Sequence, residues 1–191
     1  MQTITRIFTF DSGHRVMNES FKCFNLHGHT YKVEAEWLFG DTEAIGYAVD
    51  FKEIKRIFGQ FIEDYIDHAF IANPMDSTYI KACKEEGSKL WLMSLNGDKY
   101  CNPTAENIAK ELYMIASVLV YDKKNQLRCL SVKLWETPNC FVTVKNNSPE
   151  SSVFSSTIKQ AEGKNFFAVR GEMIERYMDI KGERVYDDRR K

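Results

Sequence analysis

The sequence predicts an α+β fold in which a four-stranded antiparallel sheet carries two helices on one face. Three observations carry that expectation. Stretches near the N-terminus and again between residues 127 and 145 are rich in β-branched and aromatic residues or alternate apolar with polar ones. Two segments, beginning at Asp50 and at Asn102, space their apolar residues by three and four. The resulting order is ββααββ, and two hairpins of this kind give an antiparallel sheet that buries one face against helices.

Residues 3–10, Thr-Ile-Thr-Arg-Ile-Phe-Thr-Phe, read as the first strand. Asp11-Ser12-Gly13 then has turn or bulge chemistry, and His14 follows it directly. Residues 16–28 read as a loop. From His29 onward the alternation is clean, with Tyr31, Val33, Ala35 and Trp37 on one face and Lys32, Glu34 and Glu36 on the other. After a turn between Gly40 and Gly46, Asp50 is the expected N-cap of a helix with Phe51, Ile54, Ile57, Phe58, Phe61, Ile62 and Tyr65 on its apolar side. Residues 73–102 hold Pro74, Gly87 and Gly97 and little periodicity, and read as an enlarged loop with room for a short helix or hairpin. Asn102 is the expected N-cap of the second helix, Pro103 its first residue, and Ile108, Leu112, Ile115, Ala116 and Leu119 its apolar stripe. A polar turn at 122–126, a strand over 127–137 and a last strand through Phe141, Val142 and Val144 complete a domain spanning 1–146. The extension, 147–191, opens on a polar link and reads as a short strand at 165–170, a short helix at 173–178 and an expected frayed end.

A chain of 191 residues with a formal net charge of −1 has no general attraction for nucleic acid or an anionic membrane. No window approaches 18 uninterrupted apolar residues, and the first residues lack the basic and apolar pattern of a signal peptide. The five cysteines are irregularly spaced with no CxxC, which reads as a reducing, cytoplasmic setting.

The chemistry concentrates in Cys23-Phe-Asn-Leu-His27-Gly28-His29. In a strand, His27 and His29 point to one side, about 6–7 Å apart, close enough to share an ion. With His14 they make three histidines in sixteen positions. A lone histidine is usually a surface or hydrogen-bonded core residue, but this spacing favours zinc. Three protein ligands and an open position form the catalytic arrangement. Cys23 stands either as a fourth ligand, as a reactive thiol beside the metal, or as a small buried hydrophobe. Cys83, Cys101, Cys129 and Cys140 read as packing. Asp67-His68 is a helix-end arrangement or, as a hydrogen-bonded couple, a proton shuttle. Glu136 ends an apolar strand, and Thr104 and Glu106 fall in a first helical turn, where such residues are common anyway.

Six stretches occur together in a telling order: Phe10-Asp-Ser-Gly-His14-Arg, Cys23-Phe-Asn-Leu-His27-Gly-His29, Val49-Asp-Phe51, Ile66-Asp-His68, Pro103-Thr-Ala-Glu-Asn107 and Leu134-Trp-Glu-Thr137. Taken together they resemble the 6-pyruvoyltetrahydropterin synthase superfamily over roughly residues 4–145. The three residues between Cys23 and His27 resemble its 6-carboxytetrahydropterin synthase branch, which serves queuosine synthesis. The resemblance implies the T-fold (tunnelling fold), with three sheets joined into a barrel and two barrels stacked into a homohexamer, a dimer of trimers. It implies zinc on His14, His27 and His29, with Cys23 and the Asp67–His68 couple transferring protons on either side of a pterin triphosphate. Glu136 would anchor the pterin, with Thr104 and Glu106 nearby. A pyruvoyl-forming synthase and a non-catalytic pterin- or purine-binding oligomer are the alternatives. The segment from 69 to 102 and the extension after 146 are longer than in compact members of the family.

Overall fold

The computed structural model describes residues 2–93, 101–122 and 126–145. The expectations for the extension from 147 onward, the centre of the turn at 122–126 and the stretch 94–100 lie outside the described residues. The strands are β1 (Gln2–His14), β2 (His27–Phe39), β3 (Ala69–Ala72), β4 (Leu90–Leu92), β5 (Arg128–Thr137) and β6 (Cys140–Lys145). The helices are α1 (Phe51–Ile54), α2 (Gln60–Tyr65), α3 (Ser77–Glu85) and α4 (Ala105–Leu119).

The sheet has six strands in the order β4-β3-β1-β2-β5-β6. The four antiparallel strands β1, β2, β5 and β6 form its larger part. The sequence missed β3 and β4, which add on beyond β1 as short parallel strands. The expected ββααββ order therefore becomes ββ, helix, β, helix, β, helix, ββ. Strands of three or four residues without alternation leave no periodic signal. The enlarged loop thus contributes α3 and β4 to the fold.

Alternation predicts the buried face of β2 correctly: Tyr31, Val33, Ala35 and Trp37 are inaccessible to solvent. The Asp11-Ser12-Gly13 turn does not form. Instead β1 continues through it, pairing Asp11 with Thr30, Ser12 with His29, Gly13 with Gly28 and His14 with His27. The close backbone approach explains the glycine at 28, where a Cβ would lie 3.2 Å from the Ser12 carbonyl oxygen.

Asp50 caps α1 as expected, its Oδ1 accepting the Lys52 N–H at 2.8 Å. The helical rod passes through a π-turn at Lys55–Gly59 before α2. Phe58 meets Phe8 and Trp37 edge-on, docking the rod on the same sheet face. In α4 the predicted stripe is buried, but the N-cap is Thr104 and not Asn102. Asn102 serves as a connector: it exchanges two hydrogen bonds with the Met17 backbone, at 2.9 and 3.0 Å, and accepts from Asn73 and Asn107. Glu111 is buried in α4, where it accepts the Trp91 indole N–H at 3.0 Å and ties β4 to that helix.

All five cysteines are free thiols. Cys101 and Cys129 pack in the core, Cys83 is half-buried, and Cys140 is exposed, which corrects its reading as a packing residue. No helix among the described residues is long and apolar enough to cross a membrane.

Candidate active site

The β1–β2 register builds the site. It sets His14 opposite His27 and leaves His29 one pleat further along β2, on the same inward face. The ring centres lie 4.5 Å (His14–His27), 5.2 Å (His14–His29) and 5.0 Å (His27–His29) apart. One ring nitrogen from each of the three lies within 4.8 Å of the others. Tetrahedral ligands about 2 Å from a shared ion stand about 3.3 Å apart, so small side-chain movements would bring the three nitrogens onto one ion.

Two of the rings are aimed by backbone. His14 Nδ1 lies 2.7 Å from the Pro103 carbonyl oxygen and His27 Nδ1 lies 2.8 Å from that of Asn25. A carbonyl only accepts, so each Nδ1 carries the proton and each Nε2 keeps its lone pair for a metal. His14 is 2% exposed. Burial lowers its pKa to about 4, opposed by the Pro103 carbonyl and assisted by the charges that His27 and His29 would carry. A neutral imidazole with an oriented lone pair is what zinc requires, so the residues fit the metal.

Two further groups close on His14. The Tyr31 hydroxyl lies 3.4 Å from Nε2 and Glu136 Oε1 lies 3.8 Å from it. Burial, with Glu136 nearby, pushes the Tyr31 phenol well above its ordinary value, so it stays protonated and can donate. Glu136 therefore sits beside the histidine cluster, on the inward parity of β5. The sequence had marked Glu136; Tyr31 was legible only through its parity with His29.

Asp67 and His68 lie elsewhere, at the open edge of β1. Asp67 Oδ1 accepts the Asp11 N–H at 2.8 Å, and the His68 N–H donates to the Asp11 carbonyl at 2.6 Å. His68 has φ of 58°, a left-handed conformation that histidine tolerates better than most residues. Its Nδ1 lies 2.8 Å from Asp67 Oδ2 while the ring is 74% exposed. Burial alone would raise the Asp67 carboxyl, but the Asp11 N–H and His68 outweigh it and hold the group below its usual range. Lys89, just before β4, donates to the Asp67 and Glu63 carbonyls. The couple is thus oriented and open, with Asp67 held as a carboxylate. A cleft of about 240 Å³ beside it is lined by Phe8, Thr9, Lys55, Gly59, Gln60, Ile62, Glu63 and Asp67, and by none of the three histidines.

Cys23 is exposed in a 3-10 turn at Lys22–Phe24. Its carbonyl accepts the Val16 N–H at 2.8 Å, which lays the turn against the chain leaving His14. Thr104 is spent as the α4 cap, its hydroxyl accepting from Asn107 at 3.4 Å, and Glu106 is exposed in the first turn of that helix. Both follow Pro103, the residue that aims His14. The structure brings His14, His27, His29 and Glu136 together and sets Asp67–His68 apart from them.

Residues 3–147 match the family described as 6-pyruvoyl tetrahydropterin synthase. The 6-carboxy-5,6,7,8-tetrahydropterin synthase of Rickettsia conorii is 36% identical over 143 residues, covering 73% of this chain and 97% of that protein. The Haemophilus influenzae protein of the same name is 35% identical over 148 residues, covering 74% and 96%. The solved 6-pyruvoyl tetrahydropterin synthase of Caenorhabditis elegans superposes with a TM-score of 0.53 at 20% identity, covering 76% of this chain and 96% of that one. A sheet whose first hairpin converges three histidines, on a chain with such relatives, belongs to the 6-pyruvoyl tetrahydropterin synthase family of enzymes.

Proposed function

We propose that this chain is a zinc-dependent lyase that converts 7,8-dihydroneopterin triphosphate to 6-carboxy-5,6,7,8-tetrahydropterin, releasing acetaldehyde and triphosphate, in the synthesis of queuosine precursors. The observation that carries the reading is the convergence of His14, His27 and His29, with the Nδ1 atoms of His14 and His27 engaged by backbone carbonyls. The choice of branch follows the relatives that bear the 6-carboxy name and the three-residue gap between Cys23 and His27.

Zinc, when bound, supplies a positive charge that acidifies the substrate's side-chain hydroxyls and stabilises developing negative charge. The chain's own groups do the rest. Glu136 holds the pterin by a charge-assisted, two-point contact with its guanidine-like edge, which fixes orientation beside the histidines. Thr104 and Glu106 flank that pocket. Cys23 takes and returns protons on one side of the substrate's side chain. His68, its Nδ1–H held by Asp67, exchanges protons through Nε2 on the other.

These groups meet between subunits. Asp11 is engaged by residues 67 and 68, and from Gln2 to Phe10 the same edge of β1 has no strand partner among the described residues. An open edge invites a neighbour's strand, and such pairing would close the barrel, bringing another subunit beside Asp67–His68. A homohexamer in the cytoplasm is the assembly this reading expects.

Incubation of the zinc-loaded protein with 7,8-dihydroneopterin triphosphate, followed by mass spectrometry, tests the reaction. Acetaldehyde with the 6-carboxy product supports it. A pyruvoyl product supports the second reading, which the description of the matching family favours. No turnover by zinc-loaded protein sinks both.

A further inference from the structure

We propose that Arg15 is a positioning residue that clamps the Cys23 turn against the metal end of β1, on a platform supplied by the segment around α3. The inference rests on the reading of Cys23 as a proton-transfer group. Three consecutive residues divide the work. His14 enters the histidine cluster, Arg15 reaches the neighbour of Cys23, and the Val16 N–H holds the Cys23 carbonyl at 2.8 Å.

The Arg15 guanidinium forms a two-point contact with Asp76, Nε to Oδ2 at 2.6 Å and Nη2 to Oδ1 at 2.8 Å. Asp76 is 2% exposed and immediately precedes α3. The guanidinium carbon also lies 4.4 Å from the Tyr79 ring centre and 5.0 Å from that of Phe24. Asp76 and Tyr79 come from the segment that the sequence marks as enlarged; Phe24 adjoins Cys23.

A pair serving only to pin α3 to the chain would need the carboxylate and nothing more. The contact with Phe24 is different, because that ring is 46% exposed and draws little from burial. A planar guanidinium can hold a carboxylate at its edge and present its faces to aromatic rings; an ammonium cannot do both. Arg15 therefore couples a buried, fixed anion to an otherwise exposed turn. The turn carries the thiol, so the clamp sets where Cys23 stands relative to His14.

The test uses the full-length, zinc-loaded protein with 7,8-dihydroneopterin triphosphate. Arg15→Lys keeps the charge but loses the two-point contact and the stacking. It is expected to lower kcat per bound zinc by about tenfold or more through misplacement, with KM and zinc stoichiometry unchanged. Phe24→Leu should share that loss and add little to it in the double variant, whereas Phe24→Trp, which restores the ring face, should restore kcat. Hydrogen exchange of the Val16 amide should speed up in Arg15→Lys and Phe24→Leu alike.

Wild-type kcat and Val16 exchange in Arg15→Lys would overturn the clamp. So would a parallel fall of zinc content and activity, the mark of a merely structural pair. If Arg15→Lys fails to fold, Phe24→Leu, a change to an exposed ring, decides alone. If the wild type does not turn over this substrate, the functional reading fails by itself and Val16 exchange decides the clamp.

Discussion

The imidazole of His14 and the carbonyl of Pro103, 89 positions apart, are joined by a 2.7 Å hydrogen bond. Through it the approach to α4 sets the tautomer of a histidine on β1. Asn102 holds that approach in place by pairing with Met17 and accepting from Asn73 and Asn107. Asn102→Ala is expected to weaken zinc binding by about 10–100-fold, the usual effect of removing an outer support. Competition with a chromophoric chelator measures it, and an unchanged affinity would show that Pro103 holds its place without Asn102.

Without a bound ion, the protonation of His14 enters the stability of the fold. In the folded, metal-free chain its pKa falls to about 4, against an ordinary 6.5. Between these values the unfolded chain binds the extra proton, so stability rises with pH across that window and is flat above it. A difference of this size corresponds to roughly 3 kcal/mol between the two ends of the window. Urea unfolding of chelator-treated protein at pH 7.5 and pH 4.5 measures the difference, and His14→Gln should remove most of it.

Much of this was legible in the sequence. His27 and His29 share a parity with Tyr31 and Val33, so the inward placement of the two imidazoles follows from the alternation alone. The pairing of His14 with His27 required β1 to run through Asp11-Ser12-Gly13, and turn-forming residue types hid that. The Pro103 and Asn25 carbonyls were not legible, because a backbone acceptor carries no residue signature. Asn102 has the chemistry of a helix cap but its side chain is spent on two other segments, at Met17 and Asn73. Strands β3 and β4 are too short to show a period.

Cys23 can be a ligand or a proton-transfer group, and the two are separable. It lies outside the three-histidine cluster, on an exposed turn. Cys23→Ala is expected to abolish turnover with zinc content at the wild-type level. Metal analysis of the purified variant checks this; loss of zinc would make the thiol a fourth ligand.

Gly59 closes the π-turn against Phe8, where a Cβ would stand 2.8 Å from Phe8 Cε1. Phe8 in turn meets Phe58 edge-on at 5.4 Å between ring centres, so its ring has little freedom to retreat. Gly59→Ala is expected to destabilise the fold by about 1–3 kcal/mol through overpacking. Urea unfolding at pH 7.5 reads the change, and Gly59→Ala combined with Phe8→Leu should recover part of it.

Asp67 faces two ways: one oxygen accepts the Asp11 N–H and the other meets His68 Nδ1, at 2.8 Å each. In Asp67→Asn the side chain can keep the first contact through its carbonyl oxygen. The amide nitrogen then faces Nδ1 and can only donate, which turns the imidazole to the tautomer with its proton on Nε2. The geometry is kept while the shuttle is reversed, so kcat should fall by about 100-fold or more with zinc content unchanged. Steady-state kinetics alongside metal analysis checks this, and kcat within a few-fold of the wild type would remove the couple from the proton path.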